Sequence, residues 1–260
     1  MTDDLPGAFF TRDGDNFVPT EHAVGPWNPN SLHGRVVAGL LGRTLWLNHG
    51  DEAFHPTRLT VDMFRLPTMS PLQVRTEAVR EGNRIRVADG VLLQDGAEVA
   101  RARIVLLKKT DDPNDDAWRP PNWTVPSPDE VSVKGPAPFA NIWETRPINY
   151  TQGVAEQRRT WLRETRLLVQ GEALTPFVRC AVAADFTSPL ANMGSKGLSF
   201  VNADITLYLQ RLPATEWLGF EVASHQSQDG IAIGETTLYD ESGPIGKGLV
   251  CAVANRRMNI

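Results

Sequence analysis

Long apolar runs are missing from this chain of 260 residues. Nothing approaches the roughly 20 consecutive apolar residues that span a bilayer, so no membrane segment is expected. Cysteine is scarce. Cys180 and Cys251 are the only two, neither lies in a Cys-x-x-Cys or Cys/His cluster, and both have apolar neighbours, which predicts buried free thiols with no metal or nucleophilic role. Excess positive charge is also lacking. Lys and Arg number 26 against 31 Asp and Glu, a net charge of -5, and the cations are scattered, so no nucleic acid partner is expected. A Gly-rich phosphate loop is absent as well. The start MTDDLPGAFF has neither the basic beginning nor the apolar stretch of a signal peptide, which predicts a cytoplasmic protein.

What the chain does contain is an internal repeat. RLTVDMFRLP from Arg58 overlays DITLYLQRLP from Asp204, so that Arg65-Leu66-Pro67 meets Arg211-Leu212-Pro213 at an offset of 146. Carried on without a gap, the offset pairs Leu72 with Leu218, Ile85 with Ile231, Leu92 with Leu238 and Val99 with Ile245. QDG at 94–96 falls beside DESG at 240–243. Each copy reads as a strand, an Arg-Leu-Pro break and three further strands with an acidic-glycine hairpin turn, an antiparallel meander.

A helix precedes each meander. Leu32 to Leu47 places Val36, Val37, Leu40, Leu41, Thr44 and Leu45 on one face, with Asn30 or Ser31 available as the N-cap. The second helix opens at Thr175-Pro176, a capping residue followed by proline at the first helical position. Upstream, IWETRPIN and QRRTWLRET read as strands, and FFTRDGDNFVPTEHA as a shorter hairpin. Between the copies, Thr110 to Ala140 is rich in proline and acid and reads as a linker. The domain expectation is therefore 1–109, a linker at 110–140, and 141–260.

One residue breaks the pattern. On the second helix Leu174, Phe177, Val178, Ala181 and Val182 form an apolar stripe, and the next position on it is Asp185. A charge on a core face costs several kcal/mol unless it is paired, hydrogen-bonded or protonated. Either Asp185 serves chemistry, or it caps the turn at Thr187-Ser188-Pro189 or pairs with an arginine.

Taken together, two sheets each wrapped around one long helix and duplicated across a linker resemble the double hotdog acyl-CoA thioesterases. HGRVVAGLLGRTL is similar to that family's first helix start, and VAADFTSPLAN to its Ala-Ser-Asp segment. The resemblance implies an α+β double hotdog of two antiparallel sheets, acyl-CoA as substrate, thioester hydrolysis in fatty acid metabolism, no metal or redox cofactor, and a homodimer. It places the catalytic aspartate at Asp185, where it orients or activates the attacking water. The family's threonine position falls at Asn202, which still hydrogen-bonds a water; its glutamine position falls at Val250, which does not. Thr206 and Ser199 are near enough in sequence to substitute.

Backbone amides around His33, Gly34 and Arg35, at the start of the first helix, are candidate oxyanion donors, and Gly34 lets a ligand approach the backbone. An ordinary helix start with a surface or capping His33 is the plainer alternative. Arg65 and Arg211 either contact coenzyme A phosphates or, as their symmetry favours, hold structure in both copies. Trp27, Trp46, Trp143 and Trp161 suit core packing or an acyl tunnel wall, and the other histidines read as exposed or structural. Two further functions remain open. One is a protein of this fold that binds an acyl ligand without catalysis, favoured by Val250. The other is an enoyl thioester hydratase, which needs an Asp and His pair close together; no histidine follows Asp185 before His225.

Overall fold

The computed structural model describes residues 7–113, 115–119, 123–132, 143–149, 154 and 156–255. The first half opens with a hairpin, β1 (Ala8–Asp13) and β2 (Asn16–Pro19), turned at Gly14 with φ +56°. Helix α1 (Gly34–His49) follows, then β3 (Phe54–Met63), β4 (Gln73–Glu81), β5 (Ile85–Gln94) and β6 (Ala97–Lys108). The second half begins with β7 (Glu144–Asn149), β8 (Arg159–Arg163) and β9 (Leu167–Val169). Its helical stretch comes as α2 (Pro176–Ala183) and α3 (Thr187–Asn192), joined by a 3-10 turn at Ala184–Phe186. The short β10 (Met193–Gly194), β11 (Gly197–Leu198) and β12 (Phe200–Asn202) lead into β13 (Asp204–Leu209), β14 (Leu218–Gln228), β15 (Ile231–Asp240) and β16 (Gly243–Ala254). No described helix is long and apolar enough to cross a membrane.

The repeat is realised as one continuous sheet of order β4-β5-β6-β3-β13-β16-β15-β14-β8-β7, with β12 also paired to β16. Only the last three strands of each copy form a meander, which corrects the four-strand expectation. The Arg-Leu-Pro segment carries the chain across the end of the helix, so β3 lies beyond β6 and β13 beyond β16. These two strands are the open edges of their copies, and they pair with each other, Thr60 opposite Thr206, which satisfies backbone groups that would otherwise face solvent. The expected first hairpin stands aside in a small sheet, β2-β1-β9, and a Phe17–Leu72 bridge joins it to the residue that precedes β4.

The core lies between this sheet and the helices. Val36, Val37, Leu40, Leu41 and Leu45 of α1 are all at most 2% exposed, as their spacing predicts. Each such burial is worth about 1.5–3 kcal/mol. The two helices run antiparallel and close together, because α1 presents glycine to α2. A Cβ on Gly42 would lie 2.9 Å from that of Ala181, and one on Gly39 only 2.5 Å from Cγ2 of Val182. The N-terminal end of α1 is thereby brought against the C-terminal end of α2.

Capping differs at the first helix and agrees at the second. His33, extended at φ -74° and ψ 138°, is the α1 N-cap, because Ser31 spends its hydroxyl on the Asn28 carbonyl at 2.8 Å and its backbone on a bridge to Thr68. Thr175 caps α2, with Pro176 next. The break between α2 and α3 has a cause in sequence. Pro189 stands four residues after Asp185, has no N–H for the Asp185 carbonyl, and its ring crowds that oxygen.

Within 110–140 the described residues form no strand and a single 3-10 turn, Pro128–Glu130; the rest of that expected linker lies outside the described residues. The segment is tied to the second half of the sheet. Trp123 stacks on Tyr239 with ring centres 4.1 Å apart, and Trp161 Nε1 donates to the Pro126 carbonyl at 2.9 Å. Both cysteines are free thiols, Cys180 buried and Cys251 half-buried, and burial pushes their pKa values up to about 12 and about 11.

Candidate active site

Asp185 sits on the 3-10 turn, 7% exposed, against the start of α1. The absence of a side chain at Gly34 makes room for it, since a Cβ there would lie 2.8 Å from Oδ1 and 2.9 Å from Oδ2. Each carboxylate oxygen has its own partner. Asn202 Nδ2 donates to Oδ1 at 3.2 Å, and His33 Nδ1 stands 3.2 Å from Oδ2. His33 Nδ1 is also 3.3 Å from the Arg35 amide nitrogen. Only one of these contacts holds at a time. A bare Nδ1 would accept from the amide but set its lone pair against a carboxylate oxygen, whereas a protonated Nδ1 donates to that oxygen. We assign Nδ1–H toward Asp185, on the shorter and charge-assisted contact.

Of the amides at the helix start, His33 N–H goes to the Ala23 carbonyl at 3.0 Å and Val36 N–H to the His33 carbonyl at 3.1 Å. The Arg35 amide faces the His33 ring. No acceptor for the Gly34 amide occurs among the described residues, which leaves it an open donor at the positive end of the helix.

These groups face a cavity of about 450 Å³ between the two halves. The first half contributes Leu32, Val37 and the 63–67 segment, and the second contributes Trp143, Phe186, Met193 and Val201, so the walls are chiefly apolar. Trp27 and Trp143 line it, whereas Trp46 packs on Phe177 with ring centres 5.9 Å apart and Trp161 lies beside Trp123. That Trp46–Phe177 contact fills the other end of the helix pair.

His33, Gly34, Asp185 and Asn202 are thus brought together on one wall. Thr206 is not among them. On β13 the residues Ile205, Leu207 and Leu209 are buried inward, and Thr206 alternates to the opposite face. Ser199 is exposed between β11 and β12. Val250 is 1% exposed and packs against the backbone of Gly234, away from the cavity. Arg35 also turns from the cavity. Its guanidinium is held between the rings of Phe9 and Trp143, at 4.7 and 4.5 Å, and pairs with buried Glu164 at 2.7 Å. Burial lowers the Arg35 pKa to about 10 and raises that of Glu164. Arg35 therefore fixes the Trp143 wall and offers its side chain to no ligand.

One lining residue and one contact escaped the sequence reading. Ser188, buried at 2%, lines the cavity one helical turn beyond Asp185; its spacing of three residues was the available signal. The contact between His33 and Asp185 left no local signal, because it joins two helices distant in the chain. The remaining histidines lie elsewhere: His55 Nε2 is 2.9 Å from the Leu209 carbonyl and His225 Nδ1 2.9 Å from Asn192 Oδ1.

Duplicated antiparallel sheets packed on a central pair of helices, with a hydrogen-bonded carboxylate between the copies, define a double hotdog protein. The chain belongs to the acyl-CoA thioesterase family: the profile of the acyl-CoA thioesterase N-terminal domain matches residues 23–107 and that of the C-terminal domain residues 110–248. Solved structures share the fold. The tesB protein of Mycobacterium avium subspecies paratuberculosis superposes with a TM-score of 0.70 at 16% identity, over 94% of this chain and 95% of that one. A hot dog fold protein of unknown function from Alicyclobacillus acidocaldarius gives 0.72 at 17%, over 96% of each chain. An acyl-CoA thioesterase II from Mycobacterium marinum gives 0.65 at 15%, over 94% of each. No protein of curated function matches the sequence.

Proposed function

We propose that this thioesterase-family chain hydrolyses an acyl-CoA to the free acid and coenzyme A, with Asp185 directing the attacking water. The observation that carries the reading is the Asp185 carboxylate itself. It is buried at the wall of an apolar cavity, with Asn202 Nδ2–H donating to one oxygen and His33 Nδ1, in the tautomer assigned above, 3.2 Å from the other. A carboxylate so fixed keeps its remaining lone pairs aimed at a water beside a bound thioester carbonyl. As the water oxygen bonds to the carbonyl carbon, its proton passes to Asp185, and negative charge grows on the carbonyl oxygen. The Gly34 amide, at the N-terminus of α1, is the donor placed for that charge. Collapse breaks the C–S bond, and the proton returns from Asp185 to the departing thiolate. Ser188 offers a hydroxyl to the same water. Asn202 stands at the family's threonine position; Thr206 and the Arg35 side chain have no part in this scheme.

The same reading divides the chain into hotdog units 1–109 and 141–260 with a linker at 110–140. The end of β6 at Lys108 and the meeting of the two matched domains near residue 110 support the first of these boundaries. We further propose a homodimer in the cytoplasm. Ile231, Ile233 and Val253, adjacent on the outer face of β15 and β16 and 61, 47 and 56% exposed, give apolar surface for the dimer. The two unpaired thiols fit a reducing compartment.

A second reading, an acyl ligand binder without catalysis, is favoured by Val250, which leaves the family's glutamine position without a polar group at the cavity. Thiol release from acyl-CoAs of short to long chain separates the two. Release above the rate without protein supports hydrolysis; binding without release overturns it in favour of the binder.

A further inference from the structure

The two Arg-Leu-Pro breaks are equivalent in sequence and in backbone. The Gln210 amide donates to the Ile245 carbonyl at 3.0 Å, and at the matching place the Phe64 amide donates to the Val99 carbonyl at 3.0 Å. The residues that end β5 and β15, Gln94 and Asp240, match as well. Asp240 Oδ2 accepts from the Ala214 amide at 2.9 Å, and Gln94 Oε1 accepts from the corresponding Thr68 amide at 2.8 Å.

The arginines nevertheless differ. In the second copy Arg211 is locked. Its Nη1 and Nη2 pair with the two oxygens of Asp240 at 2.6 Å each, Nη2 also reaches the Gly243 carbonyl at 2.8 Å, and Nε reaches the Pro244 carbonyl at 3.1 Å. In the first copy the carboxylate is replaced by an amide, which carries no charge to hold a guanidinium. Gln94 instead turns its Nε2 to the carbonyls of Thr68 and Ser70, at 3.1 and 3.0 Å. Arg65 is left exposed, with no hydrogen bond or ion pair to its guanidinium among the described residues, and it lines the cavity that holds Asp185. Lys196, likewise exposed and without an ion pair among the described residues, lies in the turn between β10 and β11, whose Met193 and Leu198 line the same cavity.

We infer that Arg65, freed by glutamine at position 94, binds a phosphate of the carrier from which the acyl group is cleaved, and so selects phosphorylated pantetheine thioesters over unphosphorylated ones. This rests on the hydrolase reading above. A guanidinium suits a phosphate, since its planar fork meets two phosphate oxygens at once. Symmetry of sequence made Arg65 and Arg211 look alike in role; one exchange of carboxylate for amide separates them.

The test compares kcat/KM for one acyl group carried on coenzyme A, on 4′-phosphopantetheine and on pantetheine, in the wild type, Arg65→Ala and Gln94→Asp. The coenzyme A to pantetheine ratio is expected to fall about tenfold in Arg65→Ala. Gln94→Asp, which restores the carboxylate that captures Arg211, is expected to lower it in the same direction without removing the arginine. A fall shared by the 4′-phosphopantetheine substrate assigns the contact to the pantetheine phosphate; a fall confined to coenzyme A assigns it to the nucleotide phosphates. A ratio unchanged in both variants overturns the inference. Calorimetric binding of coenzyme A, which needs no turnover, separates this failure from that of the hydrolase reading: weaker binding by Arg65→Ala upholds the anion site, and equal binding overturns it.

Discussion

Nδ1 of His33 stands 3.2 Å from Oδ2 of Asp185, although one residue caps the first helix and the other follows the second. The contact exists because the helices run antiparallel at glycine-to-alanine distance, so that the start of one meets the end of the other. It answers the cost of placing a carboxylate on an apolar stripe: the charge is hydrogen-bonded on both oxygens and faces a cavity. It also brings an imidazole to Asp185 from the other copy, the pairing that a search along the second helix alone does not find.

His33 is a positioning residue in this scheme. Asparagine in its place keeps a good helix cap but withdraws the ring from Asp185. His33→Asn is expected to lower kcat by about tenfold to a hundredfold, with KM within about threefold and the melting midpoint nearly unchanged. Steady-state kinetics and thermal unfolding check both parts, and a loss in KM alone contradicts the role.

Gly34 is required for close approach. Gly34→Ala puts a methyl where Asp185 Oδ1 would be 2.8 Å away, so the carboxylate must move. Ala is the better helix former by about 1 kcal/mol. The expected outcome is a kcat at least about tenfold lower in a protein no less stable, with Asp185 displaced in a crystal structure of the variant.

The Arg35–Glu164 pair holds the Trp143 wall from behind. Burial raises the Glu164 pKa and lowers that of Arg35, so each charge depends on the other. Glu164→Gln strands a buried guanidinium and is expected to cost about 3–5 kcal/mol in urea unfolding. Arg35→Met together with Glu164→Leu is expected to recover most of that loss.

Asp240 sets an acid limit. Burial pushes its carboxyl up, but the hydrogen bonds from Arg211 and from the Ala214 and Ser242 amides outweigh burial and hold it below the ordinary range. A depressed folded value means that its stabilisation is complete above the unfolded carboxyl's pKa, near about pH 4, and is lost as pH falls through the folded value. Asp240→Asn is expected to cost about 2 kcal/mol at neutral pH and much less at about pH 2. Unfolding free energies measured across that range check the slope, and an equal loss at both ends contradicts it.

Much of the fold was legible in the sequence. The offset of 146 located every long strand pair, the apolar spacing of α1 marked its buried face, and Thr175-Pro176 marked the start of α2. The carboxylate was legible too, because Asp185 interrupts a stripe. The order of strands was not, since the pairing of β3 with β13 satisfies backbone edges and leaves no side-chain pattern. His33 was one of three residues the sequence offered as a cap, and it fills the place because Ser31, a better capping residue by type, gives its hydroxyl to the Asn28 carbonyl. Thr206 lies near Asn202 in sequence, but strand alternation turns it to the other face. The alignment of QDG with DESG already held the difference between Arg65 and Arg211, and its meaning emerged only when Gln94 and Asp240 were found on equivalent amides.

The central claim is that Asp185 directs water at an acyl-CoA thioester, and thiol release by the wild type and Asp185→Asn, assayed side by side with matched folding, tests it most directly. The account predicts release by the wild type that falls at least about a hundredfold in the variant. Equal release by the two proteins, or none from either while acyl-CoA still binds, would contradict it.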